Sequence, residues 1–453
     1  MDINPHIFRA NDIRGIAYDD LNENVVVSLG KALGSESLSR NISQLIIGRD
    51  GRLSSPDIFE WLTSGVLSTG CDVLSIGVVT SPMFYHSTFS LTSASGVIIT
   101  GSHNPSEYNG FKIVFNNNSS SSEEILKLKK RMQAKDFEVG SGILKEEDIK
   151  ESYIRRVLES INLSKKMKIS VDCGNGAAGV VARKVYESLG CEVTELYGDL
   201  DGSFPNHHPD PSKEENMIDL LKSVKNEGSD VGLAFDGDAD RLGVITPKGE
   251  IIYPDRQMIL FSRQIIQNQP NAKIVFDVKC SKLLSDEITQ LGGTPLICKT
   301  GHTFIKQKIR ETNASLGGEM SGHIFFNDRW PGFDDGIYAG ARILEIIAES
   351  DVDVFETIPN MFSTPEINIP AADEKKFTLV EDFIKSSNFK GAKIIDIDGI
   401  RVEFDKGWGL LRTSNTSPVL VLRFEAETYE YLEEIKQIFY ENLKSVNDEI
   451  DKF

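Results

Sequence analysis

Residues 231–246 read VGLAFDGDADRLGVIT. An apolar run, a loop with aspartate at alternate positions and a second apolar run spell strand, polar turn and strand. The same phrase occurs twice more, as GVIITGSHNPSEYNGFKIVF at 96–115 and ASLGGEMSGHIFF at 314–326. Each closes a longer unit that opens with an apolar strand ending in aspartate: LIIGRD to Asp50, KISVDC around Asp172, KIVFDV around Asp277. In between, a helical stretch stops at glycine and gives way to a strand, in STGCDVLSIGVVTSP, SLGCEVTELYGDL and QLGGTPLICKTGH. Glycine after the last helical turn and β-branched residues beyond it are the expected punctuation. Three rounds of one pattern make an internal repeat, and strands alternating with helices predict α/β domains with mainly parallel pairing. In such sheets ligands gather where loops leave the carboxyl ends of the strands. TGSHNP, DGDADR and GEMSGH would then converge on one cleft if the repeats sit side by side.

From about Pro365 the pattern changes. KFTLVEDFIKSS reads as a helix, AKIIDIDGIRVEF, GWGLLRTSNTSP and VLVLRFEAE as strands, and YEYLEEIKQIFYENLKSV as an amphipathic helix. That predicts an α+β cap on a small antiparallel sheet. Four domains follow: 1–150 with the TGSHNP loop, 151–250 with DGDADR, 251–365 with GEMSGH, and 366–453 with RTSNTSP. NNNSSSSEE at 116–124 reads as a flexible surface loop before a charged helix.

A chain of 453 residues, 40% hydrophobic, is long enough for three or four compact domains. Forty-nine basic against sixty-eight acidic residues give a net charge of −19, which argues against an electrostatic grip on nucleic acid or anionic membrane. Anionic ligands therefore need a local basic site. The start, MDINPHIFRANDIRG, has no signal pattern, and no stretch approaches a membrane span, so a cytoplasmic location is expected. The five cysteines are scattered without a CxxC pair and read as buried free thiols. The seven histidines show no zinc spacing.

In DGDADR, Asp236, Asp238 and Asp240 can turn toward one hard cation, and oxygen-only ligands suit magnesium. An EF-hand is excluded, because its sixth and twelfth positions would be Arg241 and Pro247 rather than Gly and Glu. In TGSHNP, Ser102 follows a glycine that lets the backbone bend and precedes a stiff His-Asn-Pro exit. It reads either as a nucleophile needing activation or as a turn serine capping an amide; the loop is not the GxSxG elbow of hydrolases. Lys112 reads either as a phosphate or proton-relay group or as an ordinary strand-edge lysine. In GEMSGH, Glu319, Ser321 and His323 alternate and would share one face if the loop is extended. A carboxylate beside a hydroxyl can bind adjacent sugar hydroxyls. RTSNTSP strings Arg412, Ser414, Asn415 and Thr416 into a potential phosphate cradle without a metal.

Taken together, FRANDIRG at 8–15, TGSHNP at 100–105, NGFK at 109–112, DGDADR at 236–241, DVKCS at 277–281, KTGH at 299–302, GEMSGH at 318–323 and RTSNTSP at 412–418 make the sequence resemble the α-D-phosphohexomutase family, within it the bacterial phosphomannomutase/phosphoglucomutase group. The match runs nearly end to end, and its specificity lies in the order and spacing of the motifs. The resemblance implies four domains around a deep cleft, three of mixed α/β build and a mobile C-terminal cap. It implies a phosphorylated Ser102, with one Mg²⁺ per chain held by that phosphate and by Asp236, Asp238 and Asp240. Glu319 and Ser321 would grip the sugar's O3 and O4. Arg412, Ser414, Asn415 and Thr416 would hold the phosphate not being transferred, and Arg14, Lys112, Arg241, Lys279, His302 and His323 would line the cleft.

The implied reaction interconverts hexose 1-phosphate and hexose 6-phosphate through a hexose 1,6-bisphosphate that also serves as activator and reorients in the cleft. Lys112, Arg14 and His323 are the implied candidates for proton transfer. Recognition through O3 and O4 ignores C2, so mannose and glucose phosphates would both be accepted by a monomer or weak homo-oligomer. One departure is Asn11, where relatives commonly carry an aromatic residue. The alternatives are a phosphoglucosamine mutase, disfavoured because those relatives usually show Ala before the serine and Gln in place of Met320, and a non-catalytic sugar-phosphate-binding protein on the same fold, disfavoured because Ser102 and all three aspartates are present.

Overall fold

The structure, a computed structural model, describes residues 3–9, 12–387, 389, 391–414 and 418–453. The repeat is realised as related sheets. In the first, seven-stranded sheet, Gln44–Arg49 runs parallel to both Asp72–Val78 and Gly96–Ile99, and Gly96–Ile99 pairs antiparallel with Tyr108–Phe115. In the five-stranded second sheet, Lys168–Asp172 runs parallel to Glu192–Leu196 and Val231–Phe235, and Val231–Phe235 pairs antiparallel with Leu242–Ile245. In the third, Lys273–Asp277 runs parallel to Thr294–Cys298 and Leu316–Gly318. Parallel strands covered by helices on both faces are apolar throughout rather than alternating, and every residue of Val231–Phe235 is buried.

The aspartate closing the first strand of each round does the same work three times. Its Oδ1 accepts the amide two residues on: Arg52 N to Asp50 at 3.0 Å, Gly174 N to Asp172 at 2.9 Å, Lys279 N to Asp277 at 3.2 Å. A carboxylate turning its own backbone in this way ends the strand and starts the loop.

By contacts the chain forms two compact units, Met1–Pro254 with Ser321–Asp353, and Asp255–Met320 with Val354–Phe453. In the first, the helix Gly336–Glu349 packs on the second sheet, where Tyr186 donates to the carbonyl of Ile337 at 2.9 Å. In the second, six strands form the antiparallel sheet of the C-terminal domain: Phe362–Ser363, Ile367–Pro370, Lys393–Ile395, Ile400–Phe404, Gly407–Thr413 and Val419–Ala426. Leu432, Ile435, Phe439 and Leu443 of the helix Tyr429–Val446 recur at helical spacing and fill its core. Cys71, Cys173, Cys191 and Cys280 are buried and free, and Cys298 is half-buried and free. Among the described residues no helix is long and apolar enough to cross a membrane.

Residues 116–124 are not the loose loop their composition predicts. Asn116 and Asn117 both have positive φ and turn the chain into a short strand, Asn118–Ser119, paired with Tyr108–Phe115. Ser121 then forms a capping box with Glu124 at the start of the helix Ser122–Ala134. Asparagine tolerates the left-handed turn and serine caps the helix, so polar composition here encodes order.

His86 lies in the helix Ser81–Ser90, its Nε2 3.1 Å from Ser152 Oγ and its ring edge-on to Tyr153. Burial, reinforced by Arg156, pushes its pKa from 6.5 down to about 4. The unfolded chain therefore takes up this proton first, so stability from neutral His86 is present above about 6.5 and is lost as pH falls through about 4. Asp335, raised by burial to about 7, acts oppositely over part of this range. A comparison of parent and His86→Gln isolates the histidine. The melting-temperature gap between them is expected to shift in the variant's favour from pH 7 to pH 4.5, and a constant gap would count against the buried neutral imidazole.

Candidate active site

Ser102 stands at the carboxyl end of Gly96–Ile99, buried and in left-handed backbone at φ 49°. Its amide donates to Thr100 Oγ1 at 2.9 Å, and the amide of Asn104 donates to the carbonyl of Gly101 at 2.9 Å. Ser102 Oγ donates to Asp236 Oδ2 at 3.0 Å and lies 3.2 Å from His103 Nδ1. Burial, then the charges of Arg241 and Arg14, hold the His103 imidazole well below the ordinary histidine range. The two loops touch closely. A Cβ at Gly237 would lie 2.3 Å from the carbonyl oxygen of Ser102, so glycine is required there.

The DGDADR loop leaves the carboxyl end of Val231–Phe235 and is held through its backbone from three directions. The amide of Ala177 donates to the carbonyl of Gly237 at 2.9 Å, that of Ser81 to Asp238 at 2.9 Å, and that of Gly336 to Ala239 at 3.1 Å. Asp236, Asp238 and Asp240 are fully buried, and one oxygen from each lies within 4.8 Å of the others. Asp238 Oδ2 accepts from Ser81 Oγ at 2.6 Å and from Lys112 Nζ at 2.6 Å, and Lys112 also donates to Asp240. Asp240 Oδ1 lies 3.3 Å from His323 Nε2. Burial and repulsion from Asp240 and Asp238 push Asp236 well above the usual carboxylate range. Burial also raises Asp240, but Lys112 and His323 overcome this and hold it well below that range. Burial would lower Lys112, yet Asp238 and Asp240 hold its ammonium well above the ordinary lysine value.

A hard cation fits this donor set. The oxygens converge, all three groups are carboxylates, and Asp238 Oδ1 is buried without a hydrogen-bond partner.

Arg14 belongs here too. Its strand Ile13–Ile16 pairs with Tyr108–Phe115, and its guanidinium donates to Asn104 Oδ1 at 2.5 Å and pairs with Asp12. Arg241 Nε lies 3.8 Å from Asp236 Oδ2 and 3.4 Å from His323 Nε2, and Ser321 Oγ lies 3.0 Å from His323 Nδ1. Lys112 is not a strand-edge surface residue. Its strand lies between Ile13–Ile16 and Gly96–Ile99, so the side chain rises from a sheet interior and is buried.

The second unit gathers other candidates. Glu319 Oε1 accepts the amide of Gly301 at 2.6 Å, and the next residue, His302, begins the helix His302–Thr312. The amide of Thr300 and Nε of Arg412 both donate to Asp398 Oδ2 at 3.0 Å, while Arg412 Nη2 is buried without a hydrogen-bond partner. Lys279 Nζ donates to Glu366 Oε1 at 2.6 Å. Burial lowers the Lys279 pKa, but Glu366 and Asp277 bring it to a net rise. Lys376, buried in the helix Asp373–Ser386, donates to the carbonyl of Ser414 at 2.7 Å. Asn415 and Thr416, like Asn11, lie outside the described residues.

GEMSGH does not meet the condition of an extended loop under which its alternate residues would share one face. It turns after Leu316–Gly318, with Gly322 at φ 102°, placing Glu319 in the second unit and Ser321 and His323 in the first. Gly322, in a conformation that side-chain-bearing residues rarely adopt, permits the turn. Sequence reading missed Arg52, Ser81, Asp398, Glu366 and Lys376. The signal for Arg52 was its place two residues after a strand-ending aspartate; the others act through contacts distant in sequence.

The arrangement is that of a candidate metal-assisted phosphoryl-transfer site on mixed α/β domains. Four family descriptions match in order: phosphoglucomutase/phosphomannomutase alpha/beta/alpha domain I at residues 5–139, domain II at 151–249, domain III at 253–364 and the C-terminal domain at 366–442. A phosphomannomutase/phosphoglucomutase of Pseudomonas syringae is 48% identical over 448 residues, 98% of this chain and 96% of that protein. A phosphoglucomutase of Neisseria gonorrhoeae is 46% identical over 439 residues, 96% of this chain and 95% of that protein. The crystal structure of a phosphoglucomutase/phosphomannomutase family protein from Burkholderia thailandensis superposes with a TM-score of 0.96 at 42% identity, covering 100% of both chains. The chain belongs to the phosphoglucomutase/phosphomannomutase family.

Lys112→Met would strip the carboxylates of their ammonium. Removing one partner of a buried pair costs about 3–5 kcal/mol, so the melting temperature without metal is expected to fall. Millimolar Mg²⁺ should raise it more than in the parent. An unchanged metal-free melting temperature would show that the ion pair does not form.

Proposed function

We propose that this chain interconverts the 1- and 6-phosphates of mannose and glucose in the cytoplasm, with Ser102 as a phosphoryl carrier. The observation that carries this reading is the 3.0 Å hydrogen bond from Ser102 Oγ to Asp236, inside a buried carboxylate cluster with Lys112 against it. Such a cluster has no use as a solvated turn. It costs desolvation that only a resident countercharge offsets.

Phosphoserine 102 gives its phosphoryl group to the free hydroxyl of a hexose phosphate, forming the 1,6-bisphosphate as the serine O–P bond breaks, and the hydroxyl's proton ends on the freed serine oxygen. The bisphosphate turns end for end and returns its other phosphate to the serine. Asp236, Asp238, Asp240 and the serine phosphate would hold Mg²⁺, which when bound would supply charge neutralisation and orientation for the transfer. Lys112 keeps its proton between two carboxylates and contributes positive charge beside the transferring group. Arg14 and Arg241 add fixed positive charge near the same loop, and His323 braces Asp240.

The cations of the second unit suit a phosphate group. Arg412 and Lys279 are cations held by Asp398 and Glu366, carboxylates that a phosphate can replace as partner. Ser414 follows Arg412 in the same motif and would add a hydroxyl to the phosphate cradle; Asn415 and Thr416, the other two residues assigned to it by resemblance, lie outside the described residues. Glu319 would take a sugar hydroxyl and His302 would add a donor; Ser321, which the family resemblance also assigns to the sugar, belongs to the first unit. The alternative of a phosphoglucosamine mutase is decided by kinetics.

Intact mass is expected to show one phosphate that is absent from Ser102→Ala, and that variant should be inactive. A fully active Ser102→Ala chain would end the reading. Asp238→Ala should lose nearly all turnover, because unbalanced phosphate charge at the transition state costs several kcal/mol; activity within a few-fold of the parent would remove Asp238 from the site. Arg412→Ala should raise KM by about 10- to 150-fold, the equivalent of about 1.5–3 kcal/mol for a lost charged hydrogen bond, and an unchanged KM would refute the cradle. Mannose, glucose and glucosamine 1-phosphates assayed side by side should favour the first two.

A further inference from the structure

The guanidinium of Arg52 is buried behind the Ser102 loop, and four backbone carbonyls converge on it. Nη2 donates to Ser102 O at 2.7 Å and Asn104 O at 2.6 Å; Nη1 donates to Pro105 O at 2.6 Å and Tyr108 O at 2.9 Å. Nε lies 3.3 Å from Asp50 Oδ2, and that oxygen also accepts the amide of Gly101 at 3.2 Å. A Cβ at Gly101 would sit 2.5 Å from Cζ of Arg52, so the loop is wrapped directly onto the guanidinium. Behind it the Phe204 ring lies 5.2 Å away.

Ser102 keeps left-handed backbone that a residue with a side chain rarely adopts. A strained residue persists only where its surroundings over-determine it. A planar fork with five fixed donors can hold several carbonyls in one geometry, which a lysine ammonium on a flexible stem cannot. We infer that Arg52 is a positioning residue, whose guanidinium sets the curvature of the Ser102 loop and so keeps the serine oxygen aimed at the aspartate cluster. The inference rests on the reading of Ser102 as phosphoryl carrier, and it assigns Arg52 no contact with the hexose phosphate.

The test uses the full chain with glucose 1-phosphate and Mg²⁺. Intact mass of the parent comes first: a phosphate lost in Ser102→Ala establishes the carrier, and its absence would sink the carrier reading rather than the role of Arg52 alone. Given the carrier, Arg52→Lys and Arg52→Ala should each lose about 100-fold in kcat, the scale of an ångström misplacement of reacting groups, with KM within about threefold of the parent. Methylguanidinium should restore activity to Arg52→Ala and not to the parent treated alike. Parent-like kcat in Arg52→Lys would overturn the inference, because charge without the fork would then suffice. A rise in KM at constant kcat would also overturn it. Should Arg52→Ala fail to fold, Arg52→Lys decides by the same split.

Discussion

Three carboxylates on five consecutive residues are buried together, and everything around them is arranged to make that tolerable. Asp236, Asp238 and Asp240 repel one another where water cannot screen them, so the fold must bring positive charge to the spot. Lys112 reaches the cluster from the interior of the first sheet, and Arg241 and His323 flank it. This is why the DGDADR backbone is tied down by amides from Ser81, Ala177 and Gly336: a loop free to swing would carry its charges back to solvent.

The repeated architecture explains how two loops from different domains come to face each other. In both sheets the strand leading into the chemical loop is the parallel neighbour of the aspartate-ending strand and the antiparallel neighbour of the strand that follows. Both loops therefore leave from the same kind of strand end. Gly237 lets them approach until Ser102 O occupies the space a side chain would fill. Phosphoryl transfer needs little covalent help and much fixed electrostatics, and a loop pair clamped this tightly fits the proposed role.

In the second unit cations are satisfied differently. Arg412 and Lys279 rest on Asp398 and Glu366 rather than on a carboxylate cluster, and Asp398 also receives the Thr300 amide. A carboxylate partner holds each cation in place without the cost of an unpaired buried charge.

The amino-acid sequence alone determined the repeat, the α/β class, the antiparallel C-terminal sheet and the loops where chemistry gathers, because periodicity, strand-ending aspartates and glycine punctuation are local signals. It also singled out Ser102 and the three aspartates by residue type and spacing, and the fold brings these four together. It misjudged 116–124, where asparagine dihedrals and a serine cap outweighed composition, and it left the course of GEMSGH open. Tertiary structure alone decided that Lys112 is an interior countercharge, that Ser81 steadies Asp238, and that Arg52 gathers the carbonyls of the Ser102 loop. Each of these depends on which distant backbone a side chain meets, and burial, which turns a weak surface ion pair into a strong constraint, exists only once the sheets have packed.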